Sequence, residues 1–338
     1  MTLHRLLILL VALSATLPGC SQQAEETGPA AESIENRGSA AAADSDKWWA
    51  SLPRAEWSAF EKIDAGNSWF EVYRIDEGIL AIYEPGQFEE VISYLILGQD
   101  RALLFDTGLG IGDMASLVAT LTDLPITVLN SHTHYDHVGG NSRFATILSR
   151  GHPYAVKRAG GLDHSQVGEY AKGDWIWKPL PEGFDPETFA TNGWQVSRTI
   201  DEGEFIDLGG VSLEVVDSPG HSPDSLVLVD HQRRLMFTGD TFYLAPLYSH
   251  IPGGDLAAYT ASAERLAALA PAVDYLLMAH NTPRADSSYL LALHEALQGI
   301  RNNTAQYQSI ESGREYRFDG FSVLTAEPPY PDQAGATP

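Results

Sequence analysis

The segment Ile126-Thr127-Val128-Leu129-Asn130-Ser131-His132-Thr133-His134-Tyr135-Asp136-His137-Val138-Gly139-Gly140 runs from four apolar or β-branched residues into four metal-binding side chains within six positions. Residues 126–129 have the length and composition of a buried strand. In the extended backbone after it, positions i and i+2 point the same way, so His132 and His134 can offer two imidazoles to one cation. Asp136 and His137 fall in the turn that follows, where a carboxylate and an imidazole can begin a second site. The alternative is a surface histidine cluster with Asp136 as a helix N-cap. Gly139 and Gly140 favour the metal reading, because they let the backbone pass close to the ions and enter a following helix.

Working outward, short apolar stretches alternate with helical patterns, the order of a layered α/β architecture. Upstream, residues 69–75, 79–83, 91–97 and 102–105 read as successive strands, Asp106-Thr107-Gly108 breaks the run, and 114–121 reads as a helix. Downstream, strands are expected at 205–208, 212–216, 226–229 and 234–237, with a turn at Gly209-Gly210. Residues 255–268 then form a helix with Leu256, Tyr259, Ala263 and Leu266 on one face. Strand 275–278 leads to His280, and helix 287–300, with Leu290, Leu293, Leu297 and Ile300 turned inward, closes the domain. In both series the metal-type residues follow strands.

The 338 residues suffice for one large α/β domain. Asp and Glu outnumber Lys and Arg by 45 to 21, a net charge of -24 that repels nucleic acid, so no nucleic-acid partner is expected. The one cysteine, Cys20, excludes an intrachain disulfide and leaves metal binding to His, Asp and Glu.

Residues 1–19 read as a signal peptide, with His4 and Arg5 before the apolar run 6–17, which is too short to span a bilayer. Leu17-Pro18-Gly19-Cys20 resembles a bacterial lipobox, which implies a lipid anchor on Cys20 and a place in the cell envelope, facing the periplasm or exterior. Residues 20–46 form a flexible tether, 47–326 the catalytic domain and 327–338 a loose tail.

The HxHxDH motif at 132–137 resembles that of the metallo-β-lactamase superfamily. Asp106-Thr107-Gly108, Ser218-Pro219-Gly220-His221-Ser222, Phe237-Thr238-Gly239-Asp240-Thr241 and Ala279-His280 resemble the family's other signatures, in order. The resemblance implies an α/β fold, a four-layer αββα sandwich of two mixed β-sheets flanked by helices. It implies His132, His134 and His221 on one divalent metal ion and Asp136, His137 and His280 on a second, with Asp240 bridging them. Zinc is the first choice for this thiolate-free set, and iron or manganese also suit it. Two such cations hold a shared water as hydroxide near neutral pH, which predicts a metal-dependent hydrolase acting on a small molecule.

Asp at 240, where many zinc β-lactamases have Cys or Ser, looks more like glyoxalase II and the lactonases. A small ester, lactone or thioester is therefore the expected substrate; a β-lactamase, a phosphodiesterase and a non-catalytic tethered binding protein are the alternatives. Glutathione readers use basic residues near the C-terminus, where Arg284 and Arg301 form no clear cluster. Asp136 could also orient the hydroxide, and Asp106 could fix a ligand histidine or simply form a turn with Gly108. Tyr243, Tyr248 and His250 are candidate oxyanion donors, with Tyr243 and His250 taken as catalytic alongside Asp136. Trp175, Trp177, Phe184, Phe189 and Trp194 suggest an aromatic flap or core packing. His152, His164, His231 and His294 are read as structural or exposed.

Overall fold

The computed structural model describes residues 47–329. The expected signal peptide, the Cys20 anchor and the whole of the tether lie outside the described residues, as does the tail from 330 onward. Among the described residues no helix is long and apolar enough to cross a membrane.

Within the unit that begins at Ser51, the first sheet takes up Glu61–Ile63 (β1), Glu71–Asp76 (β2), Ile79–Tyr83 (β3), Ile92–Leu97 (β4), Ala102–Phe105 (β5), Ile126–Leu129 (β6) and Ile147–Ser149 (β7). A two-stranded ribbon, Gly161–Leu162 (β8) with Thr191–Asn192 (β9), precedes Arg198–Thr199 (β10), which returns to pair with β7. Strands β1 to β5 are antiparallel, and β5, β6, β7 and β10 run parallel. The second sheet holds Phe205–Asp207 (β11), Ser212–Asp217 (β12), Leu226–Asp230 (β13) and Leu235–Gly239 (β14) in antiparallel order. After Pro246–Tyr248 (β15), which joins a smaller sheet, Tyr275–Met278 (β16) lies parallel to β14, and Arg284–Asp286 (β17) completes the second sheet.

The central strands of both sheets are buried on two faces, which is why they read as unbroken apolar runs rather than alternating ones. In β4, Ile92, Tyr94 and Ile96 enter a core shared with the second sheet, while Leu95 enters another with Met114, Leu117 and Val118 of the helix Met114–Leu121. In β14, Leu235 and Phe237 face the shared core, and Met236 faces the helices Leu256–Leu269 and Ser288–Arg301. Phe237 meets Tyr94 edge-on at 5.3 Å, and the Tyr94 hydroxyl donates to the Met278 carbonyl at 2.7 Å. Each fully buried ring of this kind contributes about 1.5–3 kcal/mol. The mixed α/β architecture of sheets flanked by helices is thus the one the sequence predicts. Asp255 caps Leu256–Leu269 by accepting from the amides of Ala257 and Ala258, a contribution of about 1 kcal/mol.

Three local expectations need correction. The strand expected at 69–75 starts at Glu71, because Asn67 Oδ1 captures the Trp69 and Phe70 amides at 2.9 and 2.8 Å and turns the chain there. Helix Ser288–Arg301 does not close the domain: Gln308–Ile310 (β18), Gly313–Arg317 (β19) and Ser322–Thr325 (β20) follow as an antiparallel run, and β20 pairs with β15. Gly139 and Gly140 come after the short helix Tyr135–Val138 that carries Asp136 and His137, and what they admit is protein backbone. A Cβ on Gly139 would stand 2.1 Å from the Leu109 carbonyl carbon.

The parallel pairs β5/β6 and β14/β16 are the positioning device. Asp106 follows β5, His132 follows β6, Asp240 follows β14 and His280 follows β16. Carboxyl ends of parallel strands are where α/β folds place ligands.

Candidate metal centre

Seven buried or nearly buried side chains meet at these strand ends. His134 Nδ1 lies 2.9 Å from both His132 Nε2 and His221 Nε2, so three ring nitrogens converge on one point. Beside them, Asp136 Oδ2 lies 3.3 Å from His137 Nε2 and 3.7 Å from His280 Nε2. Asp240 faces both groups: Oδ1 is 2.9 Å from His280 Nε2 and 3.2 Å from His137 Nε2, and Oδ2 is 3.4 Å from His221 Nε2. The triads His132/His134/His221 and Asp136/His137/His280 each bring their donor atoms within 4.8 Å of one another, as does His132/His137/Asp240.

Such convergence of lone pairs is costly unless something binds them. His137 Nε2 is buried without a hydrogen-bond partner among the described residues. Burial, reinforced by neighbouring imidazoles, pushes His134 down to about 3 and His132 well below the usual histidine range; His221 is also lowered, chiefly by burial. These three are neutral at pH 7, the form that binds metal. Burial also opposes charge on His280 and His137, but the carboxylates of Asp240 and Asp136 outweigh it, raising His280 to about 9 and His137 well above its ordinary value. Asp240 is buried as well, yet His280 and His137 hold it far below the carboxylate range. Five imidazoles and two carboxylates in this array fit divalent metal.

Four of the five histidines use their remaining nitrogen for orientation. His221 Nδ1 meets the Tyr248 carbonyl at 2.9 Å, His280 Nδ1 the Glu89 carbonyl at 2.6 Å, His137 Nδ1 Asp106 Oδ2 at 2.9 Å and His132 Nδ1 Ser131 Oγ at 3.0 Å. Asp106 also accepts the Ser131 amide at 2.7 Å and its hydroxyl at 2.8 Å, with its own backbone at φ 68°. Of the two readings offered for Asp106, the contact with a ligand histidine is the one formed.

A cleft of ≈ 480 Å³ opens over the centre and is lined by Asp136, His134, His221 and Asp240 among others. Tyr243 and Tyr248 line it, and the Tyr243 ring stands 4.8 Å from that of His280. His250 is not among its lining residues; its ring lies against Tyr248 at 5.9 Å. Of the five aromatic residues read as a flap, Trp175 lines the cleft, Trp177 Nε1 donates to the Pro85 carbonyl, and Phe184 packs on Phe189. Trp194 and Phe189 are core residues, so the segment divides between wall and packing. His152 caps the helix Pro153–Arg158, His164 meets the Phe189 carbonyl and His231 pairs with Glu214, all structural contacts; His294 lies half-buried on Ser288–Arg301.

Sequence reasoning missed Glu89, whose carboxylate accepts from the Tyr135 hydroxyl at 2.8 Å in the cleft. It also missed a wall of rings in which Tyr135 stacks on Tyr170 at 4.2 Å, Tyr170 meets Trp175 at 4.8 Å and Trp175 meets Phe88 at 5.1 Å. No local motif marks Glu89; of these residues only Tyr135, which lies within His132–His137, and Trp175, named among the aromatic residues, carried any signal in the sequence.

A family model described as the metallo-beta-lactamase superfamily matches residues 88–280. The chain is 27% identical over 252 residues to acyl-coenzyme A thioesterase MBLAC2 of Homo sapiens, covering 70% of this chain and 86% of that one. It is 24% identical over 178 residues to hydroxyacylglutathione hydrolase GloC of Haemophilus influenzae, covering 50% and 74%. Among solved structures, a metallo-beta-lactamase from Pontibacter korlensis superposes with a TM-score of 0.50 at 20% identity, over 68% of this chain and 99% of that one. The alkylsulfatase Pisa1 from Pseudomonas sp. gives 0.54 at 16% identity, over 69% and 42%. These two show the fold alone. With the family model spanning more than half the sequence, the chain belongs to the metallo-beta-lactamase superfamily and is a hydrolase.

Proposed function

We propose that the chain hydrolyses a small thioester or ester, a thioester first, with two divalent metal ions held by its seven converging side chains. His132, His134 and His221 hold one, Asp136, His137 and His280 the other, and Asp240 is shared. Bound there, zinc or a similar ion supplies Lewis acidity and lowers the pKa of water. The observation that carries the reading is the convergence of five imidazoles and two carboxylates at the floor of an aromatic-walled cleft. Two relatives are named acyl-coenzyme A thioesterase and hydroxyacylglutathione hydrolase, which favours the thioester.

The chain's own groups divide the remaining work. The Asp136 carboxylate, inside the centre, also orients the attacking water by accepting a hydrogen bond from it. The Tyr243 hydroxyl donates a hydrogen bond to the carbonyl oxygen as it gains charge. The rings of Tyr135, Tyr170, Trp175 and Phe88 receive an apolar acyl chain and keep water from it. Among the described residues lining the cleft none is Ser, Cys or Lys, which supports direct attack by water without an acyl-enzyme. The same proposal places the mature chain on a bacterial envelope membrane through Cys20, supported by the apolar run 6–17 and Leu17-Pro18-Gly19-Cys20.

A panel of an acyl thioester, an aryl ester, a lactone, a phosphodiester and nitrocefin tests the activity. We expect the highest kcat/KM on the thioester, with a loss of several orders of magnitude in Asp240→Ala and about 10- to 1000-fold in Tyr243→Phe. Preference for nitrocefin or the phosphodiester, or an acyl-enzyme trapped by rapid quenching, would overturn the reading.

A further inference from the structure

Of the described residues that line the cleft, one is an arginine or lysine, Arg158, while Glu89, Asp136 and Asp240 are acidic. In a chain of net charge -24, other arginines such as Arg150, Arg234 and Arg314 are paired with carboxylates. Arg158 forms no ion pair with a carboxylate among the described residues. Its Nη2 donates instead to the Tyr154 hydroxyl at 2.8 Å, and its guanidinium lies 5.0 Å from the centre of that ring.

This arrangement is built into a helix. Tyr154 and Arg158 are four residues apart on Pro153–Arg158 and so share a face. Pro153 and the His152 side chain, which accepts the Tyr154 amide at 3.1 Å, fix where the helix starts. The Tyr154 hydroxyl, while accepting from Arg158, approaches the carbonyl of Pro252, another cleft residue, at 3.4 Å. The Tyr154 ring packs edge-on against His134 at 6.2 Å. The guanidinium is thus held two ring contacts from a metal-ligand histidine, on the His134 side, whereas the aromatic wall begins at Tyr135. A guanidinium with one neutral partner keeps most of its five donors for a ligand, and their fork matches a carboxylate or a phosphate. Such a ligand, repelled by the protein at large, gains from a local cation at the point of binding.

Resting on the thioesterase reading, we infer that Arg158 is a specificity residue that binds an anionic group of the substrate, so that the preferred substrate pairs an apolar acyl chain with a carboxylate or a phosphate. The carboxylate would sit on the acyl side and the phosphate on the leaving thiol.

Three thioesters separate these sources: octanoyl N-acetylcysteamine, which is neutral; the N-acetylcysteamine half-thioester of suberic acid, with an acyl-side carboxylate; and octanoyl phosphopantetheine, with a leaving-side phosphate. The corresponding thioethers, which cannot be hydrolysed, give binding constants by calorimetry on the metal-loaded protein. In Arg158→Gln the preference for one anionic thioether over the neutral one should fall about 10- to 100-fold, the size of a lost charge-assisted pair. The fall should appear in KM rather than kcat for the matching thioester, and Arg158→Lys should restore part of it. Thermal unfolding of both variants checks that they fold. An unchanged anionic-to-neutral preference in folded Arg158→Gln, for both anions, overturns the inference. If binding splits as expected but no thioester is cleaved, the thioesterase reading fails and the role of Arg158 stands.

Discussion

Asp106 holds three donors at once, the Ser131 amide, the Ser131 hydroxyl and His137 Nδ1, from a left-handed backbone position. Removing its carboxylate frees the His137 ring to rotate and leaves the Ser131 amide unpaired in a buried place. Asp106→Ala should weaken zinc binding about 10- to 100-fold, measured by chelator competition, and unchanged affinity would show that His137 is oriented by packing alone. Glu84 acts differently. Burial, only partly offset by hydrogen bonds from Trp69 Nε1 and the Leu109 amide, raises its carboxyl from 4.5 to about 7. Between those values the folded state keeps a proton that the unfolded state has released, so Glu84 costs stability as pH rises through this window and adds no further slope above it. Its cost at pH 8 is on the order of 3 kcal/mol. Glu84→Gln lacks that slope, so its unfolding free energy minus that of the parent should climb by this order from pH 4.5 to 7. The amide must face one of the two N–H donors, which shifts the whole difference without changing its slope; a flat difference would refute the assignment.

At the scale of elements, the turn Ala55–Ala59 is a clasp on the loop that carries His280. Trp57 stacks on Tyr83 at 4.5 Å and meets Tyr73 at a tilt at 4.4 Å, and its Nε1 donates to the Asn281 carbonyl at 2.9 Å. Arg54 pairs with the buried Glu90 and reaches Asn281 Oδ1 at 3.0 Å. Glu90 and Asn281 both have positive φ, and the Asn281 amide donates to the Glu90 carbonyl, so the clasp holds two strained corners together. Trp57→Ala should cost about 3–5 kcal/mol in denaturant unfolding; a loss below about 1 kcal/mol would show that the clasp is peripheral. Nothing in the sequence announces this element, because its contacts with Asn281 span more than two hundred residues and its own residues follow no period. β18 and β19 escaped because, at one side of a small sheet, they bury little beyond Tyr316, so period-two alternation is faint. β3, β5, β6 and β16 were legible to the residue because burial on both faces leaves an uninterrupted apolar run with polar ends. The seven converging side chains were legible because metal chemistry restricts residue types and the strand ends restrict spacing. Arg158 and the ring wall obey neither restriction, so only the folded chain brings them into view.

Across the whole molecule, the candidate ligands come from both sheets. His132, His134, Asp136 and His137 follow β6 of the first, and His221, Asp240 and His280 follow β12, β14 and β16 of the second. Without metal, the attraction between the two ligand groups rests on the contacts of Asp240 with His137, His280 and His221, while His132, His134 and His221 crowd three lone pairs together. Metal bound to ligands from both sheets ties them together in the folded state and finds no such array in the unfolded chain, so its binding free energy adds to stability. At a free metal concentration about a thousand times the dissociation constant, the gain is about 4 kcal/mol. For a domain of this size that corresponds to a shift in Tm of roughly 10 °C. Removing metal from the purified protein with a chelator should therefore lower Tm by about that amount, and restoring zinc should recover it. His221→Ala removes a second-sheet ligand from the imidazole triad and should shrink the metal-dependent shift, whereas Arg301→Ala, at the end of Ser288–Arg301 away from the cleft, should keep the parental shift. Equal Tm values for metal-loaded and metal-free parent protein, with loading verified by elemental analysis, would mean that these side chains do not join the two sheets through metal.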